Sequence, residues 1–194
     1  MCANSSFDAV DEKMMCICTA DDLLDISARG DSRYELLHGK LRVFPFADAE
    51  HGDCTASLAA PLYFYVHENQ LGITFAAGTG FLLETAPDHV RAPDIAFIQQ
   101  VRLGQGLSGK YFPGAPDLAV EVVEQDDKAS EVQDKIQDWL THGTRLVWVV
   151  DPKSRTVTVY RPDGTANVLK PKDTLTGEDV LLGFAYPLTK LFGE

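Results

Sequence analysis

The chain has 194 residues, enough for one domain with a substantial core, and its 45% hydrophobic and 24% charged content is ordinary for a soluble globular protein. No apolar run approaches the ~20 residues of a membrane span, and a formal charge of −12 works against a high-affinity duplex coat, which rests on a basic footprint. The same charge leaves a metal-filled site open, because a bound dication reverses the local sign.

Residues 1 to about 18 lack sustained periodicity and read as an extension or flexible tail, with the domain proper running over 19–194. The N-terminus has no basic segment leading an apolar one, so it does not read as a secretory signal. Cys2, Cys16, Cys18 and Cys54 show no disulfide-framework spacing, which suits a reducing cytosol. Thr19-Ala-Asp-Asp22 offers a capping oxygen and an acidic first turn, which predicts a short helix through Leu23, Leu24 and Ile26. Tyr34 to Phe44 reads as a β-hairpin turning at His38-Gly39. From Gly52 to about Asn69, Leu58, Leu62, Tyr65 and Val66 recur with helical spacing, and Pro61 implies a kink or a later start. His51 stands near the start of that segment, where it reads either as a surface histidine or as a side chain that reaches an acidic cluster.

Strands are expected at Ile73–Phe75, Gly80–Thr85, Ala92–Gln99 and Leu118–Glu124. The glycines at 104, 106, 109 and 114 mark 102–114 as a mobile loop. Asp126 to His142 is the clearest helix: Val132, Ile136, Trp139 and Leu140 line one face, and Gly143 sits where a C-terminal cap belongs. Leu146–Val150 reads as a buried strand, Asp151-Pro152 turns the chain into Thr156–Tyr160, and Pro162-Asp-Gly164 turns it again. The order is helix, three or four strands, helix, two strands. That pattern implies a mixed α/β domain with helices flanking a central sheet.

Two extended segments carry the chemistry: Arg91-Ala-Pro-Asp-Ile-Ala-Phe-Ile98 and Ala115-Pro-Asp-Leu-Ala-Val-Glu-Val-Val123. Strand alternation puts Asp117, Ala119 and Glu121 on one face, and Asp94, Ala96 and Ile98 likewise share one. If the strands are neighbours, Asp94 and Glu121 converge on a spot suited to magnesium, which prefers carboxylate, water and phosphate oxygens. Pro-Asp also occurs at 87–88 and 162–163 and is ordinary turn chemistry, so neither Asp94 nor Asp117 points to a metal by itself. Glu121 sits inside a β-branched run, where a carboxylate is paired, metal-bound or on an edge strand facing water. Lys135 shares a helix face with Lys128, Glu131 and Asp138, a pattern that also fits a solvated face. A lysine beside such carboxylates can orient an attacking water or balance charge in the transition state.

The ordered set of Tyr34-Glu-Leu-Leu-His-Gly-Lys40, Arg91 to Phe97, Ala115 to Val122, Lys135 in its helix, Trp148-Val-Val-Asp-Pro152 and Leu181-Leu-Gly-Phe184 resembles the PD-(D/E)XK nuclease superfamily. The closer resemblance is to the large bacterial family of restriction-endonuclease-like proteins abundant in cyanobacteria. It implies a restriction-endonuclease-like fold and cleavage of phosphodiester bonds in DNA with Mg2+ or Mn2+. It further implies Asp94 and Glu121 as metal ligands, Lys135 as the catalytic lysine, Glu35 and Asp117 as accessory acids, and, by analogy, a homodimer. The usual superfamily lysine follows the glutamate by two residues, where this chain has Val123. The resemblance therefore implies migration of the lysine to Lys135. After the strand, Glu124-Gln-Asp126 replaces the Ser-Pro-Ser-like turn of the closer family and adds acid beside the site.

Cys16, Cys18, His51 and Cys54 lack a structural zinc spacing, no Gly-x-Ser-x-Gly elbow accompanies a Ser-His-Asp set, and Gly78-Thr-Gly80 lacks a phosphate-loop lysine. Trp139 and Trp148 read as core residues. The rival to an enzyme is a non-catalytic assembly or regulatory module on the same fold, favoured by the charge and by Val123.

Overall fold

A computed structural model describes residues 18–28, 32–104, 107 and 110–193. The expected N-terminal extension lies outside the described residues except for Cys18, as do Gly106 and Gly109 of the expected loop. Four helices are described: α1 (Ala20–Ser27), α2 (Ala49–Glu68), α3 (Ala129–Thr141) and α4 (Thr189–Phe192). The strands are β1 (Arg33–Leu37), β2 (Lys40–Phe44), β3 (Gly72–Ala76), β4 (Phe81–Glu84), β5 (His89–Arg91), β6 (Ile95–Gln99), β7 (Phe112–Pro113) and β8 (Leu118–Val122). They continue with β9 (Leu146–Asp151), β10 (Thr156–Tyr160), β11 (Ala166–Leu169), β12 (Thr174–Gly177) and β13 (Leu181–Pro187).

A six-stranded sheet runs in the order β11-β10-β9-β8-β6-β3, and a second sheet runs β2-β1-β5-β4-β7, with β12 and β13 as a separate hairpin. In the larger sheet β8 and β9 are parallel and joined by α3, while the other neighbours are antiparallel. Side chains alternate across it as strand geometry requires. One face puts Ile95, Phe97, Val120, Val122 and Trp148 against Leu58, Leu62 and Val66 of α2. The other puts Ala96, Ile98, Ala119, Val147 and Val149 against Ile136 and Trp139 of α3. Each helix is held by its apolar stripe, and the strand ends between α2 and α3 are left to polar groups.

The capping box of α1 forms as expected, between Thr19 and Asp22. The hairpin turns at His38 and Gly39, whose φ values of 48° and 78° are those of a two-residue primed turn. Where the elements differ from expectation, a local cause is visible. Helix α2 begins at Ala49 rather than Gly52, because the Asp48 carboxylate accepts the His51 N–H as its cap. It then runs through Pro61, which has no N–H for the Ser57 carbonyl. That carbonyl instead accepts the Tyr186 hydroxyl at 3.1 Å from β13. The strand expected from Ala92 starts only at Ile95, after the N–H-less Pro93. The helix expected from Asp126 starts at Ala129, because Glu124 to Asp127 closes as a turn in which the Asp127 carboxylate accepts the Glu124 N–H at 2.9 Å. The short β5, the strands after Gly164 and the division into two large sheets exceed the single central sheet expected. Their residues are too few or too polar to signal strand without partners.

Candidate functional site

The register Ile95↔Val120 and Ala96↔Ala119 carries Asp94 opposite Glu121 at the end of the β6–β8 pair. The backbone fixes this contact on both sides: the Asp94 N–H donates to the Val120 carbonyl at 3.0 Å, and the Val122 N–H donates to Asp94 Oδ2 at 2.8 Å. Asp94 and Glu121 are both buried, at 6% and 4% exposure, so each needs partners.

Those partners come from the flanking helices. From the first turn of α2, His51 Nε2 lies 3.2 Å from Asp94 Oδ1. From α3, Lys135 Nζ donates to Glu121 Oε2 at 2.9 Å, and the Trp139 indole N–H, one turn later, donates to Glu121 Oε1 at 2.8 Å. The Lys135 ammonium also lies 5.5 Å over the Phe44 ring of β2. Arg33 approaches Asp94 at 3.6 Å and pairs with Glu124 at 2.8 Å. Arg33, His51, Asp94, Glu121, Glu124 and Lys135 line one pocket.

Burial works against the Asp94 charge, but the hydrogen bond and charge of His51, the Val122 N–H and Lys135 outweigh it and hold the carboxyl below its ordinary value. The bond to Asp94 in turn raises the His51 imidazole, against the effect of its burial. Glu121 behaves differently. Burial pushes it up to about 7, with Lys135 pulling it down and the nearby Asp94 and Glu35 charges adding to the rise. Burial disfavours the Lys135 ammonium, yet Glu121, Glu35 and Asp94 outweigh that and raise its pKa, so it stays cationic. The two strand carboxylates are thus held by different means and differ in acidity.

Glu35, expected beside the site, is buried in β1 and close enough to raise Glu121. Its oxygens are taken, Oε2 by Arg91 at 2.8 Å and Oε1 by the Ala92 N–H at 3.1 Å. It therefore anchors Arg91, which also donates from Nε to Asp138 of α3 at 2.7 Å. Asp117 is a correction. It leads β8, so its carboxylate lies at the opposite end of that strand from Val122, accepting the Gln99 N–H at 2.8 Å and facing Arg102 at 3.1 Å. Sharing a face with Glu121 did not bring it to the site, because four residues of strand separate them by about 13 Å.

Arg33, Arg91, Asp138 and Trp139 are missing from the residues expected at the site. Trp139 had a signal: it is four positions from Lys135, hence on the same helix face. The charged face of α3 is divided: Asp138 and Lys135 dock onto Arg91 and Glu121, while Lys128 and the Glu131–Arg42 pair at 3.1 Å stay exposed. Cys54 is buried in the α2 core, and burial pushes its thiol up to about 11.

The oxygen-rich donor set suits a hard dication. Asp94 and Glu121 each have their oxygens oriented by N–H groups, and a carboxylate oxygen has a second lone pair to offer. The raised Glu121 marks a buried anion for which the protein supplies only partial compensation, as a cation-binding position would.

A family model described as a putative restriction endonuclease, Uma2, matches residues 20–189. No curated protein matches the chain. A solved structure of a putative nuclease from Anabaena variabilis is similar, with a TM-score of 0.78 and 24% identity over 90% of this chain and 97% of that one. The likeness bears out the restriction-endonuclease-like α/β fold expected from the sequence. No helix among the described residues is long and apolar enough to cross a membrane.

Proposed function

We propose, for a chain that belongs to the Uma2 family of putative restriction endonucleases, that the Asp94–Glu121–Lys135 pocket hydrolyses phosphodiester bonds in DNA with Mg2+ or Mn2+. The observation that carries this reading is the meeting of two buried strand carboxylates with one helix ammonium in a single pocket. Asp94 and Glu121 are the residues that would hold the ion. When bound, such an ion polarises the phosphate and lowers the pKa of a water.

The remaining work falls to side chains. Lys135, partly exposed at the pocket and held by Glu121, is placed to orient the attacking water and to balance negative charge gathering on the phosphate. Its arrival from α3 answers the absence of a lysine at Val123: the position two after Glu121 is apolar, and the helix returns an ammonium to the same carboxylate. Arg33, His51 and Lys135 share the pocket lining with Asp94, Glu121, Glu124, Asp127 and Glu131, so the attraction of a phosphate to this site rests on the bound dication rather than on the side chains alone. His51 and the Val122 N–H fix the Asp94 carboxylate, and Trp139 fixes that of Glu121. Glu35, Arg91 and Asp138 tie β1 and β5 to α3 and so hold the helix that carries Lys135.

The test is incubation with plasmid, linear duplex and single-stranded DNA, with and without Mg2+ or Mn2+. Metal-dependent cleavage that Lys135→Ala abolishes supports the nuclease. Metal binding without cleavage of any of these substrates supports the non-catalytic module, which the net charge and Val123 favour. Calorimetric titration of Mn2+ should lose its signal in an Asp94→Ala, Glu121→Ala double variant; unchanged affinity there would sink the reading. Pairing of two copies belongs to the same proposal and is read by sedimentation.

A further inference from the structure

Three of the chain's five histidines gather away from the carboxylate pair. His38 comes from the β1–β2 turn, His89 opens β5, and His142 caps α3; Glu84 ends β4 between them. One ligand atom each from His38, Glu84 and His89 lie within 4.8 Å of one another. His38 Nδ1 stands 3.3 Å from Glu84 Oε2, close to the ~3.3 Å between two ligands of a tetrahedron with bonds of about 2.0–2.1 Å. The His38 and His89 rings meet edge-on with centroids 4.4 Å apart.

His89 supplies an independent observation. It is 1% exposed, and its Nδ1 has no hydrogen-bond partner. Its Nε2 is 3.3 Å from Asp138 Oδ2, and against the effect of burial this contact helps to lower the Asp138 carboxyl. A buried ring nitrogen without a partner is unfavourable, and a metal bond at Nδ1 would remove that deficit. The surroundings are those of a metal-binding histidine. Asp138, itself fixed by Arg91, stands beside His89 as the outer carboxylate that orients such a ring. His142 reinforces Glu84 from behind as an imidazolium: its Nδ1–H then donates to the Asp138 carbonyl at 2.6 Å and its Nε2–H to Glu84 Oε1 at 2.9 Å.

We propose that His38, Glu84 and His89 form a second cation site, selective for a borderline first-row divalent ion, Zn2+ foremost, with His142 and Asp138 as its supporting shell. Two imidazoles and one carboxylate match zinc and not magnesium, which takes an all-oxygen set. The site draws on β1–β2, β4 and β5, and through Asp138 it touches α3. A bound ion would therefore fasten the smaller sheet to the helix that carries Lys135 and Trp139. The inference does not depend on the nuclease reading, since it uses none of the pocket carboxylates.

The experiment is titration of the untagged, metal-stripped full chain with Zn2+ by calorimetry and with Co2+ by visible absorption. In the Asp94→Ala, Glu121→Ala background one equivalent should bind, with a Co2+ band of tetrahedral or five-coordinate strength. His38→Ala and Glu84→Gln change side chains that are 56% and 43% exposed, so the fold is not at risk. Each should weaken Zn2+ binding by more than about tenfold, while the Asp94→Ala, Glu121→Ala double variant keeps it. Absence of Zn2+ binding, unchanged affinity in His38→Ala and Glu84→Gln, or loss of binding in the double variant would each overturn the proposal.

Discussion

Replacing Lys135 by Met tests the central ion pair by the pH at which its loss is felt. Met keeps the length of the side chain and its packing on Phe44 but removes the charge. In the native protein Glu121 titrates near 7 when folded against an ordinary 4.5, which corresponds to about 3 kcal/mol acting against the ionised form. The folded state therefore binds more protons than the unfolded chain between those values, and stability falls as pH rises from about 4.5 to 7, then levels. Lys135, raised above 10.5, contributes stability that is fully present below that value, so its own titration adds no slope between pH 6 and 9. Without the ammonium, Glu121 stays protonated to higher pH. At pH 6 the carboxyl is mostly neutral in both proteins, and the substitution should cost about 1 kcal/mol, the worth of one hydrogen bond. Above pH 7 the difference should grow by about 1.4 kcal/mol per pH unit until the variant's Glu121 ionises. Urea unfolding of both proteins at pH 6, 7, 8 and 9 measures it. The same difference at pH 6 and at pH 9 would refute the coupling of Glu121 to Lys135.

Other expectations follow from single contacts. In Asp94→Asn the His51 imidazole loses the carboxylate that raises it, so its titration, followed by NMR of the ring protons, should move down relative to the native protein; an unmoved midpoint would refute the pairing. Tyr186→Phe leaves the Ser57 carbonyl of α2 unpaired opposite Pro61 and should cost about 1–2 kcal/mol in urea unfolding. Gly72→Ala places a Cβ 1.9 Å from the Ile98 carbonyl oxygen at a φ of 154°, so β3 must shift from β6. A loss of about 2 kcal/mol or more and a lowered melting temperature are expected.

Glu121 was legible because its signal is local. The acid inside the β-branched run of β8 stands out against strand composition, while Asp94, in an ordinary Pro-Asp pair at the head of β6, gains weight only from its conjunction with Glu121 and Lys135 and from the family resemblance. The helix face holding Lys135 was equally readable, since Val132, Ile136, Trp139 and Leu140 fix which way α3 turns. Asp117 shows the limit of this reasoning: alternation gives the face but not the position along it, and Asp117 lies at the far end of its strand with Gln99 and Arg102. Pro61 shows another, because a breaker is tolerated when a distant hydroxyl replaces the bond it removes.

Composition and periodicity by themselves determined the α/β class, the hairpin at His38-Gly39, the existence and apolar face of α3 and the anomaly of Glu121 within its strand, all of which depend on residues within a turn or a strand of one another. Tertiary structure alone decided the rest. The Arg91 bridge from Glu35 to Asp138 joins positions 56 and 47 residues apart, and the His38–Glu84–His89 cluster joins the turn of one hairpin to the ends of two other strands. Such contacts depend on which strand lies beside which, and no local pattern encodes that. The energy that selects them is the burial shared by the whole domain.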